Sequence, residues 1–191
     1  MACDLRPFRD YDEHDVINLF ALDEAAGVDV TKGHFVAFGS ANEGWRNAHG
    51  DDQGLQNVML GDVGQGYDNT VSQRYGVSSR VKLADANDTD VLGMLLYDVK
   101  ETDENGEQLK FNPRKAAEND WAISGQAVPI VTRGIFLYSG SVLAAANGKG
   151  GQVLYIDANG ELTDSNGGGD IVGMSLGGVD DNNHQLVRIN L

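Results

Sequence analysis

The apolar residues of this chain come in short runs, and glycine, aspartate or asparagine interrupts nearly every one of them. From Gly27 onward the runs are rich in valine, isoleucine and aromatic residues, which suit the pleated, half-buried surface of a strand. Glycine alone accounts for 25 of the 191 residues. Short apolar runs with turn residues between them predict a mainly β domain, a β-barrel or a β-sandwich, with few helices.

The predicted strands recur at short intervals, and turn residues separate them. They cover residues 28–30, 34–38, 78–84, 91–99, 127–138, 152–157, 171–176 and 184–190. The run at 91–99 is almost entirely apolar, which is typical of a strand that is covered on both faces. Asn105 followed by Gly106 predicts a type I′ hairpin, since both positions of that turn need a positive φ. Beyond the N-terminal region, only 113–120 and 141–146 are candidate helices.

Residues 1–26 differ from the rest in their pattern of charged and apolar residues. They are predicted to form an N-terminal arm, with a single β domain at 27–191. In this arm a charged stretch, 10–15, is followed by an apolar stretch, 16–22. A short helix that begins at Asp15, which would cap it, and an extended arm both fit this pattern. The apolar side chains of 16–22 must either join the core or dock on a partner, because they are too many to leave in water.

A long segment, 39–76, is rich in glycine and poor in consecutive apolar residues. A stretch of this length within a compact domain is usually a functional loop or a segment that a partner orders. Trp45 and Tyr67 are its candidate anchors, because large aromatic side chains bury much area for little lost entropy. Ordinary packing within the domain is the alternative for both.

Two seven-residue segments of the chain share one sequence pattern: Asp, two aliphatic residues, Gly, Met, any residue and Leu. Residues 90–96 read DVLGMLL and residues 170–176 read DIVGMSL. Upstream of them lie GHFVAF and GGQVLYI, and downstream lie VPIVTRG and HQLVRIN. The match indicates either two similar β units that complete one core, or a coincidence in a β-rich chain. A glycine at the same place in both strands suggests a bulge or the close approach of another backbone.

Charge and cysteine content exclude several classes of protein. Lys and Arg number 14 against 29 Asp and Glu, so the formal net charge is −15. Such a chain repels nucleic-acid phosphates and anionic membrane surfaces. No apolar run approaches the ~20 residues of a membrane-spanning helix, and the N-terminus lacks the apolar core of a secretory signal. Cys3, the single cysteine, forms no internal disulfide.

No catalytic or cofactor-binding motif stands out, so the chain is predicted not to be an enzyme and to hold no metal or cofactor. His14, His34, His49 and His184 lie in no metal-binding spacing, and neither a nucleophile elbow nor a complete phosphate loop is present.

Two acidic segments, which start at Asp103 and Asp157, resemble the beginning of calcium loops. Both fail at position 12, which is Arg114 in one and Gly168 in the other where a glutamate is required. They are interpreted as hairpin turns, and the acidic stretch at Asp180 as a solvated turn.

The C-terminal half contains VPIVTRG at 128–134, DIVGMSL at 170–176, the final HQLVRINL and a hairpin that carries Val153, Tyr155, Asp157, Gly160 and Leu162. In these segments it resembles the capsid decoration, or cement, proteins of tailed bacteriophages. The opening LRPFRDYDEHDVINLFALD is similar to the arms of such proteins in phages of cyanobacteria and related marine hosts. The similarity covers the arm and residues from about 77 to 191.

The resemblance implies a structural virion protein that is made in the host cytoplasm and binds the outer surface of the assembled head. It would cement neighbouring major capsid protein subunits against the pressure of packed DNA, often as a homotrimer, with no direct contact to nucleic acid or membrane. The candidate capsid contacts are Arg6, Phe8, Arg9, Tyr11, Val16, Ile17, Leu19 and Phe20. Trp45 and Tyr67 are assigned to the oligomer or the capsid, Arg6 and Arg9 would pair with shell carboxylates, and the remaining strands are assigned to the core.

Two alternatives remain open at this point. The chain could be another virion β protein, such as a tail or head-completion subunit. It could also be a carbohydrate-binding β module in which Trp45, Trp121 and Tyr67 stack on sugar rings.

Overall fold

The computed structural model describes residues 4–7, 15–22, 30–38, 80–140 and 150–191, which form a mainly β domain of two curled, half-barrel sheets. No helix in these ranges is long and apolar enough to cross a membrane. The described elements, in chain order, are β1 (Asp4–Pro7), β2 (Val16–Ile17), β3 (Ala21–Leu22), β4 (Phe35–Ala37), β5 (Arg80–Leu83), β6 (Val91–Leu95), β7 (Asp98–Lys100), a 3₁₀ helix (Leu109–Phe111), α1 (Pro113–Glu118), β8 (Trp121–Ile123), β9 (Ile130–Val131), β10 (Arg133–Ser139), β11 (Val153–Ile156), β12 (Leu162–Thr163), β13 (Gly173–Val179) and β14 (Gln185–Asn190).

Each of the two large sheets has six strands. The first sheet has the order β2-β9-β6-β4-β5-β3, and the second has the order β1-β10-β14-β13-β11-β12. A small parallel pair, β7 and β8, stands apart from both. The chain passes between the sheets at Thr132, whose N–H donates to the Asp15 carbonyl at 2.8 Å and whose carbonyl accepts from the Leu191 N–H at 2.9 Å.

Five strands of each sheet repeat one arrangement. In chain order they are β2, β4, β5, β6, β9 in the first sheet and β10, β11, β12, β13, β14 in the second. Both sets lie side by side in the order first, fifth, fourth, second, third. The strands that correspond are those around the two Gly-Met segments, so the internal duplication is confirmed at the level of strand order.

The register of the two units agrees around the two Gly-Met segments. Met94 lies opposite Phe35 on one side, and Met174 lies opposite Val153 in the same way. Gly93 and Gly173 precede these methionines, and a Cβ at either glycine would collide with a carbonyl oxygen of the next strand. The close backbone approach that the shared glycine suggested is therefore present in both sheets.

The core lies in two layers. Between the sheets, Phe35, Met94 and Val131 of the first pack with buried residues of the second, including Leu154 and Ile189. On the other side of the first sheet, a second cluster contains Phe20, Leu22, Val30, Val36, Val81, Leu95, Ala122, Val128 and Ile130. The first sheet is thus buried on both faces, as predicted for the run that contains β6.

Several local predictions needed correction. The run at 91–99 is not one strand: the chain bends after Leu95, where the Leu96 N–H donates to the Pro129 carbonyl, and continues as β7. Residues 16–17 and 21–22 form strands, so the short helix from Asp15 is wrong. Val30 is buried but lies outside any strand. The helix predicted at 113–120 is confirmed as α1, and the one at 141–146 lies outside the described residues.

Candidate docking surface

The second sheet has one buried face and one that is partly exposed. Phe136, Leu154, Val187 and Ile189 point into the core between the sheets. Because side chains alternate along a strand, their neighbours point the other way. We call the outward-pointing side of β10, β11, β13 and β14 the outer face. Its aliphatic and methionine residues are half-buried or exposed and lie in none of the three buried clusters of the described residues: Ile135, Leu137, Val153, Met174, Leu176 and Leu186.

One row of residues crosses the outer face from strand to strand. In this outer row, Val153 pairs with Met174, Met174 with Arg188, and Arg188 with Ile135. Beside it, Leu137 lies directly opposite Leu186. Val153 is 37% exposed and Leu176, next along the face, is 40% exposed. The strands therefore hold an apolar strip in a fixed geometry at the surface.

A bulge in β13 sets the position of Leu176. The register of β13 against β14 shifts between Ser175 and Val179. Gln185 holds this bulge from the inner side, since its side-chain amide donates to the Gly177 carbonyl at 2.7 Å and to the Ser175 hydroxyl at 3.2 Å. A bulge bends and twists its strand, and here it leaves Leu176 on the exposed side.

Both charged residues on the outer face are cations. Arg188 occupies the middle of the outer row, and Arg133 lies on β10 next to it; both are exposed. Neither makes an ion pair with any residue of the described ranges. No outward-pointing position of β10, β11, β13 or β14 is Asp or Glu, although acidic residues outnumber basic ones by 29 to 14 in the whole chain. The outer face thus carries two positive charges and no negative one, in a protein that is acidic as a whole.

Three acidic turns share one hydrogen-bonding pattern, and they include the segments that resembled calcium loops. Asp103, Asp157 and Asp180 each accept, through Oδ1, the backbone N–H groups of the second and fourth residues that follow. The residue with positive φ is the third one on: Gly106, Gly160 and Asn183. The assignment to turns is confirmed, but the type I′ geometry is wrong, because Asn105 does not have a positive φ.

The turn at Asp103 has an additional partner. Lys115 of α1 donates to Asp103 Oδ2 at 2.6 Å and also lies 2.8 Å from Glu104 Oε1. The hydrogen bond from Lys115 is the main cause that lowers the pKa of Asp103 below its ordinary value, and the N–H groups of Glu107 and Asn105 act in the same direction. These contacts attach α1 to the turn and are structural.

The groups considered for other chemistry serve local packing. No group of three or more His, Cys, Asp or Glu side chains in the described ranges is arranged to hold a metal ion. His34 is buried, and its Nδ1 lies 2.9 Å from the Thr31 carbonyl oxygen. Trp121, a candidate for stacking on sugars, is half-buried, and Lys100 Nζ lies 4.2 Å from the centre of its ring. That face of the indole is therefore already occupied.

The described part of the predicted arm belongs to the sheets. Val16 and Ile17 are half-buried in β2, where they pair with Val131 and Ile130. Phe20 is 5% exposed and packs edge-on against Phe38, with the ring centres 5.5 Å apart. These side chains contribute to the domain's own core, and in this arrangement Phe20 is not available to a capsid.

The other predicted contact residues have different placements. Leu19 is 58% exposed. Arg6 lies in β1, opposite Leu137 in the register, at the edge of the second sheet. Phe8, Arg9, Tyr11, Trp45 and Tyr67 lie outside the described residues. The structure thus does not test the contacts predicted for these five.

The outer face was missed from the sequence because the C-terminal strands were assigned to the core. That assignment is wrong for their outward-pointing residues. The available signal was alternation: in β14, buried Gln185, Val187 and Ile189 alternate with half-buried Leu186 and exposed Arg188. A charged residue between two buried aliphatic ones is typical of a strand with one covered face.

Comparison of the chain with protein-family models, with curated proteins and with solved structures finds no match. The outer face is therefore interpreted from its own residues.

Proposed function

We propose that this chain is a structural virion protein that binds the outside of an assembled phage head and cements neighbouring major capsid protein subunits. The resemblance that suggested this role lies mostly in residues that form the second sheet. The shared hairpin corresponds to β11 and β12 with the Asp157 turn between them, and the final strand, β14, pairs with both β10 and β13.

The observation that carries the proposal is the outer face. Two buried clusters already fill both sides of the first sheet and the inner side of the second. The apolar side chains of the outer face add little to that core. An apolar patch on a rigid sheet is typical of a surface that meets another protein.

The outer face is small for a single stable interface, and its area fits a protein that binds through several such contacts at once. The four strands have seven, four, seven and six residues, a mean of six. At ~4.8 Å between strands and ~3.3 Å per residue they form a plate of roughly 20 by 20 Å. Its projected area, about 400 Å², is half of the ~800 Å² that one partner contributes to a standard interface. A decoration protein on a shell, as a trimer or beside other copies, can bind through several such contacts at once, and multivalency then strengthens modest individual ones.

A reconstitution experiment tests the function. The purified chain is added to shells assembled from the major capsid protein of the virus that encodes it, and bound protein is separated by sedimentation. We expect saturable binding, regularly spaced density on the outside of the shell by electron microscopy, and shells that break at a higher temperature. A chain that stays in the supernatant, or that locates to tails alone in intact virions, would contradict the proposal.

A further inference from the structure

The outer row has a counterpart inside the molecule. In the first sheet, Phe35 pairs with Met94, Met94 with Val131, and Val131 with Val16. This inner row occupies the corresponding strands, in the same register, as Val153, Met174, Arg188 and Ile135 do in the second sheet. It lies against the second sheet as part of the core between them. One of the two equivalent rows thus already packs against another sheet within this chain.

From this equivalence we infer that the outer row is the surface that docks on the shell, and that Arg188 pairs there with a shell carboxylate. The inference rests on the proposed function and adds to it the docking face and the chemistry of the partner. The partner surface is an apolar patch that presents at least one Asp or Glu side chain.

The charges of the outer face identify this partner chemistry. Arg188 stands where the inner row has Val131, with apolar Met174 and Ile135 on either side of it. A guanidinium that is covered by a partner needs a hydrogen-bonded anion, and its planar fork matches a carboxylate. Arg133 on the same face adds a second positive charge.

The same charges argue against a face-to-face pair of identical copies. A two-fold contact between outer faces would bring the central arginines of two chains together, with no acidic residue at the outward-pointing positions of the four strands to separate them. An acidic, partly apolar surface on a different protein is the better match.

The test compares two charge reversals of the same chemistry. Arg188→Glu alters the centre of the outer row. Arg114→Glu is the matched control, since Arg114 is exposed on α1 and, within the described residues, forms its ion pair with Glu118 on the same helix, at 2.8 Å. Both variants and the wild type are titrated onto undecorated shells, and thermal unfolding of each free protein verifies that it is folded. A third variant, Leu176→Ser, probes the apolar part of the face without any change in charge.

We expect Arg188→Glu to bind shells at least tenfold more weakly than the wild type, Leu176→Ser to bind several-fold more weakly, and Arg114→Glu to bind as the wild type does. If folded Arg188→Glu and folded Leu176→Ser both bind shells as tightly as the wild type does, the inference is overturned and the proposed function stays intact. The inference also fails if Arg188→Glu changes only the size of the free protein in light scattering, which would assign the face to a second copy. Absence of wild-type binding would remove the function and the inference together.

Discussion

The inner and outer rows are built alike and lie in different surroundings. Both cross four strands of equivalent order, both contain a methionine that follows a close-packed glycine, and both have the same register. The inner row is covered by the second sheet, whereas the outer row is half-buried to exposed, with arginine in place of valine at one position. The two sheets therefore share strand order and register. The side chains at equivalent positions differ because one face packs against another sheet and the other does not.

The largest expected effect comes from exchanging Val131 and Arg188, the position at which only the outer row carries a charge. Val131→Arg would place an unpaired charge in the core and should cost more than ~3 kcal/mol, enough to prevent stable folding. Arg188→Val changes an exposed position and should alter stability by no more than ~0.5 kcal/mol. In urea unfolding, Val131→Arg should show no cooperative transition, whereas Arg188→Val should unfold close to the midpoint of the wild type. Similar stabilities would mean that the two rows do not differ in burial.

The methionines give the next largest contrast. Met94 is 0% exposed, and Met94→Ala should destabilise the protein by ~2–5 kcal/mol, because it removes buried contacts and leaves a cavity. Met174 is half-buried on the outer face, and Met174→Ala should cost less than about half as much. The midpoints of chemical unfolding report both values. A cost for Met174→Ala equal to that for Met94→Ala would show that the free protein already covers its outer row.

The glycines should behave alike, in contrast to the methionines. A Cβ at Gly93 would collide with the Val131 carbonyl oxygen, and one at Gly173 with the Arg188 carbonyl oxygen. Each alanine variant should therefore lose ~1–3 kcal/mol through displacement of the neighbouring strand. Thermal unfolding of Gly93→Ala and Gly173→Ala tests this equivalence. A harmless substitution at either glycine would break the structural parallel between the sheets.

The smallest effect concerns residues 101–120, which connect β7 to β8 and have no counterpart in the second sheet. The folded protein holds the pKa of Asp103 below the ordinary 3.8, so it binds this proton less tightly than the unfolded chain does. The resulting stabilisation is present above the ordinary pKa and is lost as the pH falls from there through the folded pKa. Unfolding at neutral and acidic pH should show this acid loss reduced in Asp103→Asn.

The control for that titration is Asp157→Asn, which alters an equivalent turn that has no lysine partner in the described residues. It should retain the acid loss that belongs to Asp103 and Lys115. An acid response that is the same in the wild type and in Asp103→Asn would show that their contact adds no stability.

Much of the backbone arrangement could be predicted from the sequence, because it depends on local patterns. The two Gly-Met segments and the strands around them correspond in the structure as they do in the chain. The Asp157 turn follows from aspartate and glycine at fixed spacing. The bend after Leu95 was not predictable from the apolar run, since it depends on a hydrogen bond to the distant Pro129 carbonyl.

The candidate surface was harder to predict than the fold. Alternation shows that a strand has two faces, but it does not show which face of which unit packs on the other. The second unit resembles the first in sequence, and the stacking of the sheets leaves Met174 half-buried while Met94 is fully buried. The apolar residues of 16–22 were expected either in the core or on a partner. Phe20 joins the core, whereas Leu19 stays exposed.

A high-resolution electron-microscopic reconstruction of a decorated shell is the most direct test of the central claim. We predict that the outer face of the second sheet lies against capsid subunits, with Met174 and Leu176 in apolar contact and a capsid carboxylate within ~3 Å of the Arg188 guanidinium. A reconstruction in which this face points to solvent, and another surface of the chain meets the shell, would contradict the account.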